Sequence, residues 1–220
     1  MKNNIEVIYE DNHLLVVNKP VNVPVQEDNS KDPDLLSMLK DYLKVKYNKP
    51  GNVYLGLVHR LDRPVGGVMV FAKTSKCASR LSNQIREHKF NKIYNAVCEG
   101  QIEEKGHLTN KLLKDTKKNI VTVDESGKLS ELEFKRLSVK NKLNLIEIKL
   151  FTGRSHQIRV QLSYNGNPLY GDQKYNKNSK VGEQLALFSK RLEFYHPVTN
   201  EFLTFELDLP DRYPFSLFKE

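Results

Sequence analysis

Residues 59–73 read His59-Arg60-Leu61-Asp62-Arg63-Pro64-Val65-Gly66-Gly67-Val68-Met69-Val70-Phe71-Ala72-Lys73. In this stretch a proline-glycine turn separates a charged segment from an apolar run that is typical of a buried strand. Charged side chains are seldom buried unless they are paired, so three of them beside such a strand indicate a special position. The order of residues predicts that Asp62 lies at the mouth of a buried strand.

Two arginines flank this aspartate, Arg60 two positions before it and Arg63 one position after it. Neighbouring guanidinium groups favour the ionised carboxylate, which suits a nucleophile or a charge stabiliser better than a proton donor. Taken alone, residues 59–67 are explained more simply by a structural Asp-Arg pair that closes a loop. The rest of the chain decides between these two interpretations.

The stretch resembles the signature of the RluA-type RNA pseudouridine synthases, His-Arg-Leu-Asp followed by a basic residue, a short turn and an apolar strand ending in Ala-Lys. In that family the aspartate is catalytic, so the resemblance assigns catalysis to Asp62. Val65-Gly66 stands where the family usually has Thr-Ser, and the hydroxyl groups of that turn are therefore missing. Residues 19–23 resemble the family's Lys-Pro-x-Gly-x turn, with Asn22 in the glycine position, and asparagine tolerates the left-handed backbone that such a turn needs.

Residues 91–98 alternate like a half-buried strand on which Lys92 and Tyr94 point the same way. From composition alone, Tyr94 is best explained as an aromatic that packs into the core. The Lys-x-Tyr-x-Ala spacing, however, resembles the second motif of the same family, in which the tyrosine lies against the target base. A base taken out of its stack needs an aromatic face to replace the lost stacking, and the resemblance assigns that role to Tyr94.

The third informative stretch, residues 152–162, places a glycine turn and Arg154 between a strand and a helix. Ser155 is predicted to cap that helix, whose unpaired backbone donors and Arg154 would together hold an anion, either Asp62 or a phosphate. The run resembles the family's Gly-Arg-x-His-Gln-Ile-Arg motif, and residues 166–172 continue it at matching spacing. The first arginine of that motif pairs with the catalytic aspartate, which assigns this role to Arg154.

The net charge of the 220-residue chain is +8, and its distribution is uneven. Residues 51–120 hold 13 Lys and Arg against 6 Asp and Glu, whereas residues 1–50 hold 7 against 8. A cluster of this kind is typical of a phosphate-binding surface, so the expected partner is RNA, either ribosomal or transfer RNA. The cations expected to contact the RNA backbone are Arg60, Arg63, Lys73 and Arg159.

Several classes of protein are not indicated by the sequence. No apolar run is long enough to span a bilayer and no basic-then-apolar leader precedes Ile5, so we expect a cytoplasmic protein without a membrane partner. Cys77 and Cys98 lack metal-ligand spacing and are interpreted as reduced thiols. The implied isomerisation of uridine needs no cofactor and no metal, and the sequence contains neither a P-loop nor a dinucleotide fingerprint.

The resemblance implies an α+β fold, a mixed and mostly antiparallel sheet of about eight strands with flanking helices and a central catalytic cleft. We expect residues 1–220 to form a single catalytic domain, without the family's additional N-terminal S4-type RNA-binding domain, and a monomer. The local pattern predicts an N-terminal hairpin from Ile5, a strand over 53–58, a helix from Asp32-Pro33 to about Tyr47, and a helix from Thr74 to about Glu87.

Three alternatives to an active synthase stay open at this stage. The strongest is a catalytically inactive RNA-binding module of the same fold, because the Val65-Gly66 departure could accompany a loss of activity. A metal site formed by His59, Asp62 and His156 lacks further ligands at matching spacing. A retaining glycosidase would need a second carboxylate about 5 Å from the first, and the sequence does not indicate one.

Overall fold

The computed structural model of the chain describes residues 5–219. The first four residues, which precede the predicted first strand, lie outside this range. The described residues divide into two units, one formed by residues 5–91 and 191–207, the other by residues 92–190 and 208–219. Each unit is described by itself below.

The first unit contains a small antiparallel sheet and two helices. In chain order its elements are β1 (Glu6–Glu10), β2 (Leu14–Lys19), α1 (Leu35–Lys46), β3 (Gly56–Leu57), β4 (Gly66–Ala72), α2 (Ser75–Arg86) and β11 (Phe202–Glu206). Strand β2 pairs with both β1 and β4, β3 pairs with β4, and β11 pairs with the second half of β10 (Leu187–Tyr195), whose first residues belong to the other unit.

The N-terminal hairpin forms because a polar turn joins two apolar strands. Asp11 shapes this turn, because its Oδ1 accepts from the backbone N–H groups of His13 (2.7 Å) and Leu14 (2.6 Å). Apolar residues of β2, β4, α2 and β10 then bury one another around Leu81 and Phe194. All seven residues of β4 are buried, as predicted for the apolar run that follows Asp62.

The two helices of this unit begin at polar caps, one of them at a residue other than the predicted one. The prediction for α2 is confirmed, since Thr74 Oγ1 accepts from the backbone N–H of Cys77 at 3.2 Å. The predicted start of α1 at Asp32 is wrong, because Asp34 is the cap and its Oδ1 accepts from Ser37 N at 3.0 Å. Asp32 instead pairs with the guanidinium group of Arg63.

The second unit is built on longer antiparallel strands. Its elements are β5 (Asn91–Cys98), β6 (Lys105–Asp115), β7 (Ile120–Val123), β8 (Lys128–Lys140), β9 (Leu143–Leu150), α3 (Gln157–Tyr164) and a 3₁₀ helix, Phe215–Phe218. The strands lie side by side in the order β5, β9, β8, β6, β7, and every one of these neighbouring pairs is antiparallel.

Two other local predictions need correction. Ser155 does not cap α3. His156 occupies the cap position in a left-handed conformation (φ 50°), without a side-chain hydrogen bond that caps the helix. The strand predicted over 53–58 is reduced to Gly56–Leu57, although Val53 and Leu55 are buried. Both misses concern the ends of elements, where local patterns are least informative.

The predicted fold class is confirmed as α+β and mostly antiparallel. The described residues form eleven strands, more than the figure of about eight, which came from the resemblance and not from the local pattern. Cys77 and Cys98 are both buried and unbridged, as predicted. Within residues 5–219, none of the helices has the length and apolar character that a membrane span requires.

Glu10, at the end of β1, joins that strand to α1 and to the residue that follows β4. Its side chain is 6% exposed, Oε2 accepts from Lys46 Nζ at 2.8 Å, and Oε1 accepts from Lys73 Nζ at 2.8 Å and from Tyr47 OH at 2.7 Å. Burial by itself raises the pKa of Glu10, but the hydrogen bonds from the two lysines and from Tyr47 and Tyr42 outweigh it and lower the pKa to about 2.

We expect Glu10→Gln to reduce the free energy of unfolding by about 2 kcal/mol at pH 7, because two ammonium groups lose their carboxylate. The lowered pKa means that the carboxylate stabilises the fold fully above pH 4.5. This contribution is lost as the pH falls from 4.5 towards 2. Urea unfolding of both proteins across this pH range measures the effect. Glu6→Gln, at an exposed position of the same strand, is the matched control, and a Glu10→Gln deficit that stays constant down to pH 2 would contradict the prediction.

Candidate active site

Asp62 lies in the loop that enters β4, four residues before the strand begins. Its side chain is half-buried, and its backbone carbonyl accepts from the N–H of Val65 at 2.9 Å, which closes a tight turn over Arg63 and Pro64. The residues on both sides of the loop, Leu61 and Val65, are buried. The turn therefore holds the carboxylate of Asp62 on a fixed stretch of backbone, as a preorganised catalytic group requires.

A buried lysine beneath this loop is a feature that the sequence analysis missed. Lys19, the last residue of β2, is 1% exposed, and its Nζ donates to three backbone carbonyl oxygens, of Pro20 (3.0 Å), Arg63 (3.1 Å) and Val65 (2.7 Å). The three acceptors match the three donors of an ammonium group. Two of them belong to the Asp62 loop, so Lys19 ties that loop to the first sheet.

The carboxylate of Asp62 also acts on the pKa of Lys19. Burial lowers the pKa of Lys19 to about 7, while the nearby carboxylate of Asp62 opposes this effect. Lys19 and the carboxylate of Asp62 thus lie within electrostatic range of each other in the first unit. The Lys-Pro pair in front of the Asn22 turn was the only sequence signal for it, and Asn22 itself has the left-handed backbone that the resemblance required (φ 64°).

We expect Lys19→Met to reduce the free energy of unfolding by about 2–3 kcal/mol, since three buried carbonyl groups lose their donor while the cost of burying the charge is relieved. The Asp62 loop should loosen first. Amide hydrogen exchange at Val65, whose N–H closes the turn, reports this directly. Lys44→Met, at an exposed position of α1, is the control. Unchanged exchange at Val65 together with unchanged stability would show that Lys19 does not hold the loop.

The two arginines beside Asp62 extend towards the segment between β2 and α1. Arg60 is exposed, and its Nη1 donates to Gln26 Oε1 at 3.2 Å. Arg63, whose side chain is 40% exposed, donates from Nε to the carbonyl of Asn22 (3.1 Å), from Nη1 to Ser30 Oγ (2.9 Å), and pairs with Asp32. Both arginines remain near the surface, where a phosphate can reach them.

The departure at Val65-Gly66 has a packing reason in this chain. Val65 is 2% exposed, and a Cβ atom on Gly66 would lie 3.0 Å from the carbonyl oxygen of Lys19 and 3.1 Å from Val21 Cγ1. A side chain at position 66 would therefore press on the strand end that carries Lys19. In this protein an apolar residue and a glycine fill the space that a Thr-Ser turn fills elsewhere.

Lys73, at the other end of β4, has its charge neutralised within the unit. Its side chain is 9% exposed, and besides Glu10 its Nζ donates to the carbonyl of Asp11 at 2.5 Å. His59 also serves the fold, since its Nε2 accepts from the backbone N–H of Val70 at 3.2 Å. A nitrogen that accepts this bond is not available to a metal ion.

In the second unit, Tyr94 lies in the middle of β5 and is 6% exposed. It pairs across the sheet with Ile148, and Lys92, which shares its side of the strand, pairs with Leu150. The predicted common orientation of Lys92 and Tyr94 follows from this register, because positions two apart on a strand face the same way. The ring of Tyr94 is thus held by packing rather than by a flexible loop.

Arg154 follows the turn at the end of β9, and its side chain is exposed. Gln157 shapes this turn, because its Oε1 accepts from Thr152 Oγ1 at 2.8 Å and from the backbone N–H of Arg154 at 3.0 Å. Arg154 Nε donates to the carbonyl of Leu129 at 3.2 Å. The side chain of Gln157 therefore takes up the backbone donor of Arg154 and fixes the turn before α3.

Arg159, predicted to contact RNA, forms a buried bidentate ion pair. Its Nε and Nη2 donate to Asp172 Oδ2 (2.8 Å) and Oδ1 (2.7 Å), and the two side chains are 8% and 0% exposed. The guanidinium group also lies over the ring of Tyr175, with its Cζ 5.1 Å from the centroid. The ion pair joins α3 to the loop after it. It therefore connects residues 152–162 of the third motif with their continuation over residues 166–172.

His156, which the sequence suggested as a further metal ligand, also contacts another side chain of the fold. His156 Nδ1 lies 2.6 Å from Tyr175 OH, within the same unit. Among residues 5–219, no three or more His, Cys, Asp or Glu side chains are grouped so that they could hold a metal ion.

Comparison with known proteins places these motifs in one family. Residues 13–164 match the family described as RNA pseudouridylate synthase. The chain is 31% identical over 220 residues to ribosomal large subunit pseudouridine synthase D of Zymomonas mobilis, and the alignment covers 94% of this chain and 69% of that protein. It is 33% identical over 212 residues to ribosomal large subunit pseudouridine synthase C of Vibrio parahaemolyticus, with 93% and 65% covered.

The structural comparison agrees at the level of the fold. Human RNA pseudouridylate synthase domain containing 4 superposes with a TM-score of 0.81 at 22% identity, covering 97% of this chain and 92% of that one. Human RNA pseudouridylate synthase domain containing 1 gives a TM-score of 0.74, also at 22% identity, with 93% and 83% covered. The sequence match extends over all three motifs, which contain Asp62, Tyr94 and Arg154. The chain therefore belongs to the RNA pseudouridylate synthase family and is an isomerase that acts on RNA.

Proposed function

We propose that this chain converts specific uridines of large-subunit ribosomal RNA to pseudouridine, with Asp62 as the catalytic carboxylate. The observation that carries the residue assignment is the Asp62 loop. Its carboxylate stands on a closed turn, and the buried Lys19 both holds that turn through two backbone carbonyl groups and lies within electrostatic range of the carboxylate. The choice of ribosomal RNA rests on the names of the relatives, and transfer RNA is the other RNA that the sequence allows.

The proposed reaction rearranges the target nucleotide without a co-reactant. The bond between N1 of uracil and C1′ of ribose breaks, the base turns, C5 bonds to C1′, and the proton on C5 is exchanged with water. Asp62 would stabilise or attack the reacting nucleotide, Tyr94 would lie against the everted uracil, and Arg154 takes the role of the arginine that the family pairs with its catalytic aspartate.

Exposed cations supply the proposed contacts with the RNA backbone. In the first unit these are Arg60 and Arg63. In the second unit, strand β6 and the turn after it present five exposed lysines, Lys105, Lys111, Lys114, Lys117 and Lys118. For Lys73 and Arg159, contact with RNA stays a prediction, and their short ion pairs favour a structural role. Charges of this kind position RNA without reading its sequence.

Release of tritium tests the proposal. Large-subunit ribosomal RNA transcribed in vitro with uridine tritiated at C5 is incubated with the protein, and label in water is counted. An active synthase releases one tritium for each pseudouridine formed, whereas an inactive RNA-binding module of the same fold releases none. Transfer RNA transcripts labelled in the same way form the second arm. If neither RNA releases label, the proposed activity is overturned. If only transfer RNA releases label, the proposed substrate is overturned.

We further propose that residues 1–220 act as one catalytic domain, as a monomer in the cytoplasm. The family match runs through parts of both units, from residue 13 to residue 164, which supports a single functional domain. The bacterial relatives are named for ribosomal RNA, which in bacteria is found in the cytoplasm, and this supports the proposed location. Light scattering of the purified protein alone and with RNA tests the monomer.

A further inference from the structure

Lys92, at the start of β5, is a buried cation without a counter-charge. Its relative exposure is 7%, and within residues 5–219 no hydrogen bond or ion pair joins its side-chain ammonium group to another residue. Burial lowers the pKa of Lys92, and no nearby carboxylate offsets that effect. This differs from Lys19, which is equally buried but has three carbonyl acceptors.

The position of the ammonium group is defined by the turn after β9. A Cβ atom on Gly153 would lie 3.1 Å from Lys92 Nζ, so the ammonium group lies directly beneath that turn. Gly153 and the next residue, Arg154, are exposed. A ligand that reaches this turn can therefore approach the ammonium group, and the glycine leaves the necessary space.

An unpaired buried charge is costly, because desolvation is not compensated by a partner. Such a group is retained where it serves a ligand that brings the missing partner. Lys92 lies on the same side of β5 as Tyr94, two positions away, and beside the turn that carries Arg154. A group that enters the protein alongside Tyr94 thus comes within reach of an ammonium that has no competing acceptor.

We propose that Lys92 is a substrate-binding residue that donates to an anionic oxygen of the target nucleotide. This inference rests on the proposed function and extends it to a residue outside the three assigned roles. Two oxygens of that nucleotide have suitable chemistry. A uracil carbonyl oxygen gains negative charge as the glycosidic bond to N1 breaks and its electron pair moves onto the base, and a phosphate oxygen is charged throughout.

Lys92→Met tests the proposal, with Lys149→Met on the neighbouring strand β9 as the matched exposed control. The variant should melt at or above the temperature of the parent protein, because an uncompensated charge is removed. Its single-turnover rate of tritium release should fall by about 100-fold or more, as expected when one preorganised donor is lost. Lys149→Met should match the parent in both measurements.

The affinity for RNA distinguishes the two oxygens. If the acceptor is a uracil oxygen, the rate falls while the dissociation constant for RNA stays within about twofold, since the charge develops only during reaction. If the acceptor is a phosphate, affinity also falls and the slope of log affinity against log salt becomes shallower by about one. A Lys92→Met protein with parental rate and affinity overturns the proposal. A parent protein that releases no tritium from any RNA refutes the proposed function instead.

Discussion

Asp62→Asn is expected to abolish pseudouridine formation while leaving the protein folded and able to bind RNA. The substitution removes the negative charge but keeps the size of the side chain. The hydrogen bond that closes the turn, from Val65 N to the backbone carbonyl of Asp62, does not involve the side chain. Loss of a catalytic nucleophile or charge stabiliser typically lowers the rate by about 10⁴-fold or more.

Single-turnover tritium release measures this loss, and filter binding with the same RNA measures affinity. Asp41→Asn, at an exposed position of α1 in the same unit, provides the matched control and should retain full activity. The melting temperature of Asp62→Asn should stay within a few degrees of the parent, because only a half-buried charge is lost. Substantial turnover by this variant would remove Asp62 from its proposed role.

The largest effect on stability is expected for the ion pair between Arg159 and Asp172. Arg159→Met and Asp172→Asn should each reduce the free energy of unfolding by about 3–5 kcal/mol, since each leaves a buried charge without its partner. Asp172 Oδ1 also accepts from the backbone N–H groups of Lys174 (3.0 Å) and Tyr175 (3.2 Å), bonds that the amide oxygen of an asparagine can keep, so Asp172→Asn tests the charge pair in particular.

A double-mutant cycle separates this mechanism from a simple loss of contacts. The double variant Arg159→Met, Asp172→Asn should be destabilised by clearly less than the sum of the two single variants, because no unpaired charge is left. Lys111→Met provides the exposed comparison in the same unit. Lys111 pairs with Glu125 at 3.1 Å, and its loss should change stability by no more than about 1 kcal/mol. Additive single effects in urea unfolding would contradict the coupling.

Arg159 and Lys73 differ from the exposed arginines Arg60 and Arg63 in how deeply they are buried. All four were predicted to contact RNA from the sequence alone, where a cation beside a motif carries no information about its partner. In the structure, Arg159 and Lys73 are mostly buried and paired with Asp172 and Glu10, whereas Arg60 and Arg63 stay accessible near Asp62. Weak, salt-sensitive effects on RNA affinity are expected for Arg60→Met, while Arg159→Met should act mainly through stability.

Features that depend on neighbours in the chain could be predicted from the sequence. The cap of α2 at Thr74, the left-handed backbone of Asn22 and the buried strand after Asp62 all follow from short-range rules, because residue type limits local backbone geometry and alternation sets which face is buried. The three motifs, and with them the candidate roles of Asp62, Tyr94 and Arg154, could also be predicted from the order and spacing of residue types along the chain.

The tertiary structure alone decided which charges are paired. Lys19 and Lys92 are both lysines beside a motif, yet one meets three carbonyl groups from residues up to 46 positions away and the other meets none. Asp32 and Ser155 had the right residue types for helix caps, but Asp32 pairs with Arg63 instead, and Gln157 takes up the backbone donor of Arg154. A charge or a donor is satisfied by the polar groups that the folded chain brings within about 3 Å. The distance along the sequence does not indicate which groups these are.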